Sequence, residues 1–185
     1  MMMSNIVIIS GSPAVVSRSS AISKLVKDVL VTNGNKVEEI AVRNLPAEDL
    51  LYANFNSPAI QQAKALVEQA DGVIIVSPVY KASYPGVLKA FLDLIPEKGL
   101  ANKVVLPIAT AGTIAHLLAL EYAFKPLFSV LGTRDVTDGV YIVDSQVAYT
   151  EHELTFVDIE VEQRLGDAIT QLQVRLQQKE AQASR

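Results

Sequence analysis

Four serines and an arginine crowd one short segment, Gly11-Ser-Pro-Ala-Val-Val-Ser-Arg-Ser-Ser20. Hydroxyls and a guanidinium so close together suit a phosphate monoester: Ser12, Ser17, Ser19 and Ser20 can donate to its oxygens while Arg18 supplies the opposite charge. If a helix begins here, its first amides and its dipole favour the same anion. The competing reading is that the serines cap that helix and fill the loop, as serines commonly do. Other phosphate loops are missing. No G-x-G-x-x-G follows the opening strand and no G-x-x-x-x-G-K-[ST] occurs, so a mononucleotide with a terminal phosphate fits better than a dinucleotide or a triphosphate.

Two further segments look suited to a flat ring. Ser77-Pro-Val-Tyr-Lys-Ala-Ser-Tyr-Pro-Gly86 combines aromatics with proline and glycine, and can lay backbone and a side-chain plane along a heterocycle. Ala109-Thr-Ala-Gly-Thr113 offers small residues and free amides, allowing close approach to a ring edge. Either can equally be an ordinary turn. The chain has no cysteine, which excludes thiolate nucleophiles and zinc-thiolate sites, so any redox chemistry must be borrowed from a cofactor. His116 and His152 have no second ligand pattern beside them and read as cap or core residues rather than catalysts. Glu151, Glu153, Glu160 and Glu162 read as facing water.

The elements that must position these segments alternate. Short β-branched runs at Asn5–Ser10, Lys36–Val42, Gly72–Val76, Val104–Ile108 and Val136–Val143 suit buried strands. Between and after them, helical apolar spacing covers Ser20–Val31, Pro58–Gln69, Gly86–Leu94, Ala115–Leu131 and Val157–Gln178. Five β-α repeats with right-handed crossovers predict a five-stranded parallel sheet with helices on both faces, a three-layer α/β/α sandwich. In such a sheet ligands sit outside the carboxyl ends of the strands where strand order reverses, which selects the loops after the first, third and fourth strands. At 185 residues the prediction is one domain over 1–185, with a polar tail from Gln177 to Arg185 that frays.

The fourth helix carries a defect. Ala115–Leu131 is apolar on nearly every face apart from the i,i+4 pair Glu121 and Lys125, so it calls for a second burying surface. Pro126 lies inside it and removes the hydrogen bond to the carbonyl of Tyr122, predicting a deformation there. On the residues alone this is a structural kink.

Half the residues are apolar and 19% are charged, a globular composition with apolar surface to spare for a subunit contact. A net charge of -4 without a basic patch argues against nucleic acid. The first ten residues lack a secretory pattern and no stretch is long enough to span a membrane, so the expectation is a cytoplasmic protein.

Gly11-Ser-Pro with Ser17-Arg-Ser-Ser, Ser77-Pro-Val-Tyr-Lys, Ala109-Thr-Ala-Gly-Thr113, Ala115-His-Leu-Leu-Ala119, Asp49-Leu-Leu-Tyr-Ala53 and Asp144-Ser-Gln-Val147 together resemble the flavodoxin-like, NADPH-dependent FMN reductase family. The resemblance spans nearly the whole chain and is nearest to the reductases that serve two-component alkanesulfonate monooxygenases. It implies an NAD(P)H:FMN oxidoreductase, with NADPH or NADH as reductant, a homodimer or homotetramer, and a flavin-dependent monooxygenase as partner. It also implies roles for residues. Ser12, Ser17, Arg18, Ser19 and Ser20 would meet the FMN phosphate; Pro78, Val79, Tyr80 and Lys81 would line the isoalloxazine ring; Thr110, Ala111, Gly112 and Thr113 would meet its polar edge. Lys81 would assist or meet the nicotinamide's phosphate, and no acid-base residue is required. By the same resemblance Tyr122 lies in a π-helix at a tetramer interface near the flavin and tunes it. Ala14 and Ala111 depart from the family, standing where a basic residue and a second glycine are common; the Ala111 methyl would come near the ring. A flavin-bound quinone, azo or metal reductase, a flavodoxin-type electron carrier and a non-catalytic binding module remain alternatives.

Overall fold

The computed structural model describes residues 3–150 and 153–183; Glu151 and His152 lie outside them. Five parallel strands, β1 (Asn5–Ser10), β2 (Lys36–Ala41), β3 (Gly72–Pro78), β4 (Val104–Ala111) and β5 (Val140–Val143), pair in the order β2-β1-β3-β4-β5. This is the flavodoxin-like order, whose reversal point lies between β1 and β3. Successive residues send side chains to opposite faces. Val7, Ile9, Val73, Ile75 and Val105 build one core; Ile6, Ile8, Ile74, Val76 and Leu106 build the other. The edge strand β2 instead exposes Lys36, Glu38 and Glu39, charges that discourage pairing with another sheet.

The helices α1 (Arg18–Thr32), α2 (Ala47–Leu51), α3 (Pro58–Gln69), α4 (Gly86–Leu92), α5 (Lys125–Val130) and α6 (Ile159–Ala183) cover these faces. α1 and α6 close one core through Ile22, Val26, Leu30, Leu165, Leu172 and Leu176. α3, α4 and α5 close the other, with Phe91, Phe124 and Phe128 fully buried.

Several boundaries differ from the sequence-based expectation. β3 and β4 run on to Pro78 and Ala111, because parallel pairing between them continues through Pro78 and Thr110. The expected strand over Val136–Val143 divides: Val136 makes an isolated bridge to Val105, and regular pairing resumes at Val140. α2 is an addition, as is an antiparallel hairpin of β6 (Val147–Tyr149) and β7 (Leu154–Phe156), whose Leu154 and Phe156 pack on the α1–α6 core. The expected fraying from Gln177 is not seen, since α6 is helical to Ala183. Ser4 Oγ lies 3.2 Å from Glu180 Oε1 and Lys179 Nζ lies 3.4 Å from Asp135, which tie that last stretch to the body. Glu153, Glu160 and Glu162 face water as expected.

β1 ends on Gly11, whose amide still donates to Val76 O at 2.8 Å. A Cβ at Gly11 would stand 2.8 Å from Leu88 Cδ2 and 3.0 Å from Ser77 Oγ. Leu88 is fully buried and has little freedom to yield. Gly11→Ala is therefore expected to lower stability by about 1–3 kcal/mol through overpacking, read as a reduced urea midpoint at unchanged slope.

Candidate active site

The sheet brings the three candidate loops to one edge. Pro78 lies opposite Thr110 in the β3–β4 register, and Val79 N donates to Thr110 O at 2.8 Å. Ser19 Oγ and Thr110 Oγ1 share a buried hydrogen bond of 2.8 Å, joining the first turn of α1 to the end of β4. Ala111 pairs with Val143, which delivers Asp144 beside Gly112: Asp144 Oδ2 lies 3.8 Å from where a Gly112 Cβ would be.

α1 starts with a reciprocal cap. Ser17 Oγ accepts from Ser20 N at 3.1 Å, and Ser20 Oγ accepts from Ser17 N at 2.9 Å. Each serine hydroxyl thus has local work, and the hydrogens can be assigned. Ser20 Oγ donates to Ser17 O at 2.9 Å, so its hydrogen is committed. Ser12 Oγ only accepts, from Ala14 N at 3.2 Å, which leaves its hydrogen free. Ser17 Oγ lies 2.8 Å from Ser20 Oγ and, with the Ser20 hydrogen on Ser17 O, donates its own to that contact, whereas Ser19 and Thr110 use one of their two hydrogens on each other and leave the second free. Among the described residues the amides of Arg18 and Ser19 have no partner, as the first turn of a helix requires, and that turn holds no acidic residue. Two amides, two hydroxyl hydrogens and a guanidinium at the start of a 15-residue helix make a fitting receptor for a phosphate dianion.

Arg18 is held in a way its neighbours in sequence do not announce. Its Nη1 lies 3.1 Å from Asp144 Oδ2, and its guanidinium carbon lies 5.1 Å from the centre of the Tyr149 ring. Both members of the ion pair are about one-third exposed, 35% and 37%, which limits the pair to about 0–1 kcal/mol. Arg18 Nε is buried with no hydrogen-bond partner, a cost of about 1–3 kcal/mol. The guanidinium is therefore weakly anchored where it sits. Asp144 is visible in the sequence only as part of a motif, and Tyr149 not at all, because the contacts cross from α1 to the turn after β5 and to β6.

The loop after β3 forms a tight two-residue turn. Tyr80 N donates to Ser83 O at 2.7 Å and Ser83 N returns to Tyr80 O at 3.1 Å. Lys81 and Ala82 between them both adopt left-handed backbone, φ 52° and 65°. Such turns normally carry Asn-Gly, and each non-glycine residue there costs about 1–2 kcal/mol. The strain holds Tyr80 and Lys81 out in solvent at the sheet edge. Behind them Tyr84 packs edge-on against Phe124, ring centres 5.2 Å apart.

In the loop after β4, Gly112 and Thr113 are exposed, and Tyr141 Oη donates to Thr113 O at 2.7 Å. Burial pushes the Tyr141 hydroxyl pKa up, a backbone hydrogen bond from His116 opposing it, so the phenol stays a donor at neutral pH. Ala111 is buried in the core with Tyr141, so its methyl is not presented to the cradle as expected. Arg43, not singled out in the sequence, braces the first loop by donating from Nε to Pro13 O at 3.2 Å. Ala14 is exposed at the tip of that loop.

The expected deformation is present. Instead of one helix over Ala115–Leu131, a 3-10 turn (Ile114–His116) leads to a π-helical turn (Leu120–Phe124) and then α5. Pro126 falls in the first turn of α5, where a missing N–H costs least. The extra residue of the π turn turns Tyr122 outward, 79% exposed, while Phe124 and Phe128 stay buried. Tyr122, Pro126 and Val130 line a groove of about 680 Å³ opposite Tyr84, Lys89 and Leu92 of the α4 side. Glu121 and Lys125 form the expected pair at 2.6 Å. His116 is half-buried in the 3-10 turn, and among the described residues no cluster of His, Cys, Asp and Glu could hold a metal. No helix there is long and apolar enough to cross a membrane.

Comparison with known proteins gives a consistent result. Residues 4–148 match the family of NADPH-dependent FMN reductases. An FMN reductase (NADPH) of Pseudomonas putida is 46% identical over 172 residues, covering 92% of this chain and 87% of its own. The FMN reductase (NADPH) of Escherichia coli is 42% identical over 179 residues, covering 96% and 92%. Among solved structures, the apo form of an NADH:FMN oxidoreductase superposes with a TM-score of 0.84 at 34% identity, covering 94% of this chain and 90% of that one.

Capping and anion binding at Ser17 separate experimentally. Ser17→Ala is expected to cost about 1 kcal/mol of stability as a lost cap, and Ser17→Asp, itself a good cap, almost none. Ser17→Asp places a carboxylate in the receptor, so it is expected to lose FMN affinity beyond the loss in Ser17→Ala, measured by flavin fluorescence quenching beside urea unfolding.

Proposed function

The chain belongs to the NADPH-dependent FMN reductase family, and from that premise we propose that the start of α1 holds the FMN phosphate while the loops after β3 and β4 hold the isoalloxazine ring. The protein is an NAD(P)H-dependent FMN reductase. The observation that carries the site assignment is the convergence at the end of β1: a glycine with no room for a side chain, two unpartnered amides and the loosely held Arg18 guanidinium.

Ser12 and Arg18 donate to the phosphate, and Ser17 does so by turning its hydroxyl away from Ser20; Ser19 and Ser20 shape the turn through their bonds to Thr110 and Ser17, with one hydrogen of the Ser19–Thr110 pair left to give. Pro78, Val79, Tyr80 and Lys81 line the ring, and the backbone of Thr110, Ala111, Gly112 and Thr113 meets its polar edge, where amides favour negative charge. Bound FMN supplies the hydride acceptor chemistry. Lys81, exposed on its strained turn, is positioned to meet a phosphate of the incoming nicotinamide nucleotide. The chain has no dinucleotide fingerprint, consistent with a nicotinamide that visits the open ring face rather than owning a subdomain.

The protein acts as the reductase half of a two-component system, a flavin-dependent monooxygenase such as an alkanesulfonate monooxygenase taking the reduced flavin. It does so as a homodimer or homotetramer in the cytoplasm. Ile114, Leu117, Leu118, Tyr122 and Val130 expose an apolar stripe on the broken helix that supports a subunit contact there.

Titration with FMN and riboflavin, followed by NADPH and NADH oxidation with flavin, quinone and azo acceptors, tests this reading. FMN is expected to bind more tightly than riboflavin and to be the preferred acceptor; equal affinity for the two removes the phosphate assignment. Tyr122→Ala is expected to speed FMN release and to alter turnover with free flavin; if FMN retention and turnover both match the parent protein, Tyr122 has no part in flavin handling.

A further inference from the structure

We propose that Asp144 sets how long FMN stays bound, by competing with the flavin phosphate for the Arg18 guanidinium. The inference rests on the phosphate assignment at α1. Asp144 belongs to none of the three ligand loops; it follows β5 in a short turn that is fixed from outside the site. Val143 N donates to Gln146 Oε1 at 2.8 Å, Gln146 Nε2 donates to Asp158 Oδ2 at 2.9 Å, and Val157 N donates to Gln146 O at 2.9 Å. The turn thereby places the carboxylate over Gly112, 3.1 Å from Arg18 Nη1.

The guanidinium is poorly served in that position. Nη1 has Asp144 and the cation face has Tyr149, but Nε is buried with no partner. A phosphate dianion at the α1 start offers more charge and a bidentate match for the guanidinium fork, so Arg18 gains by turning toward it. Asp144 then loses its counter-ion, and whatever that ion pair contributed is subtracted from the hold on FMN. One carboxylate therefore parks Arg18 when FMN is away and weakens the hold on FMN when it is present. For a reductase whose product is the flavin itself, Asp144 is a positioning residue that favours exchange.

The test measures equilibrium affinity and stopped-flow release of FMN, with riboflavin as the phosphate-free control, in the parent protein, Asp144→Asn, Arg18→Met and the double variant. Asp144→Ser serves as a second replacement with the same expectation. Asp144→Asn is expected to tighten FMN by up to about fivefold, mainly through slower release, with riboflavin unchanged and no tightening on the Arg18→Met background. Unchanged or weaker FMN binding in both Asp144 variants overturns the proposal. So does equal tightening of both flavins, which points to the ring, or tightening that persists without Arg18, which points to direct repulsion. The underlying assignment fails separately: Arg18→Met would then leave the preference for FMN over riboflavin intact.

Discussion

The approach of Gly11 to Leu88 and Ser77 is the contact on which the carboxyl edge of the sheet depends. With no side chain between them, the first loop lies directly against α4, and α1 begins close enough to β4 for Ser19 to reach Thr110. Any larger residue would lift the loop and move the helix start away from the end of β4. The distances among the three loops therefore follow from one missing methyl group and from parallel pairing that carries β3 and β4 to Pro78 and Ala111.

The elements that contain the chemistry were legible because their signals are local. Apolar runs marked the strands, most clearly β1, β3 and β4, which are buried on both faces, while Pro58 fell at a helix start and Pro126 beside a helix defect. What escaped depends on distant contacts. A three-residue strand such as Val147-Ala-Tyr149 has no periodicity to detect, and its hairpin is supported by packing of Leu154 and Phe156 on a core built elsewhere. The last turns of α6 are polar and read as a fraying end, yet Lys179 finds Asp135 and Glu180 finds Ser4. At the site, sequence indicated which hydroxyls were present but not which hydrogens remained free, since Ser19 is coupled to a residue 91 positions away. The hold of Asp144 and Tyr149 on Arg18 is invisible for the same reason.

The broken helix shows a different division. Pro126 foretold a defect, and the π turn over Leu120–Phe124 absorbs it by inserting a residue. The outcome is a side chain, Tyr122, turned out of a helix whose neighbours Phe124 and Phe128 anchor it in the core. Tyr84 packs on Phe124 and belongs to the segment that follows the Tyr80–Ser83 turn, so Tyr122 and that turn share one support.

The Ser19–Thr110 hydroxyl bond ties together two walls of the proposed cradle. Loops that move independently must each lose freedom when a guest arrives, which weakens the guest's binding. Here part of that cost between the two loops is met when the chain folds, through the bond that joins them, and the Arg18 side chain is what is left to rearrange.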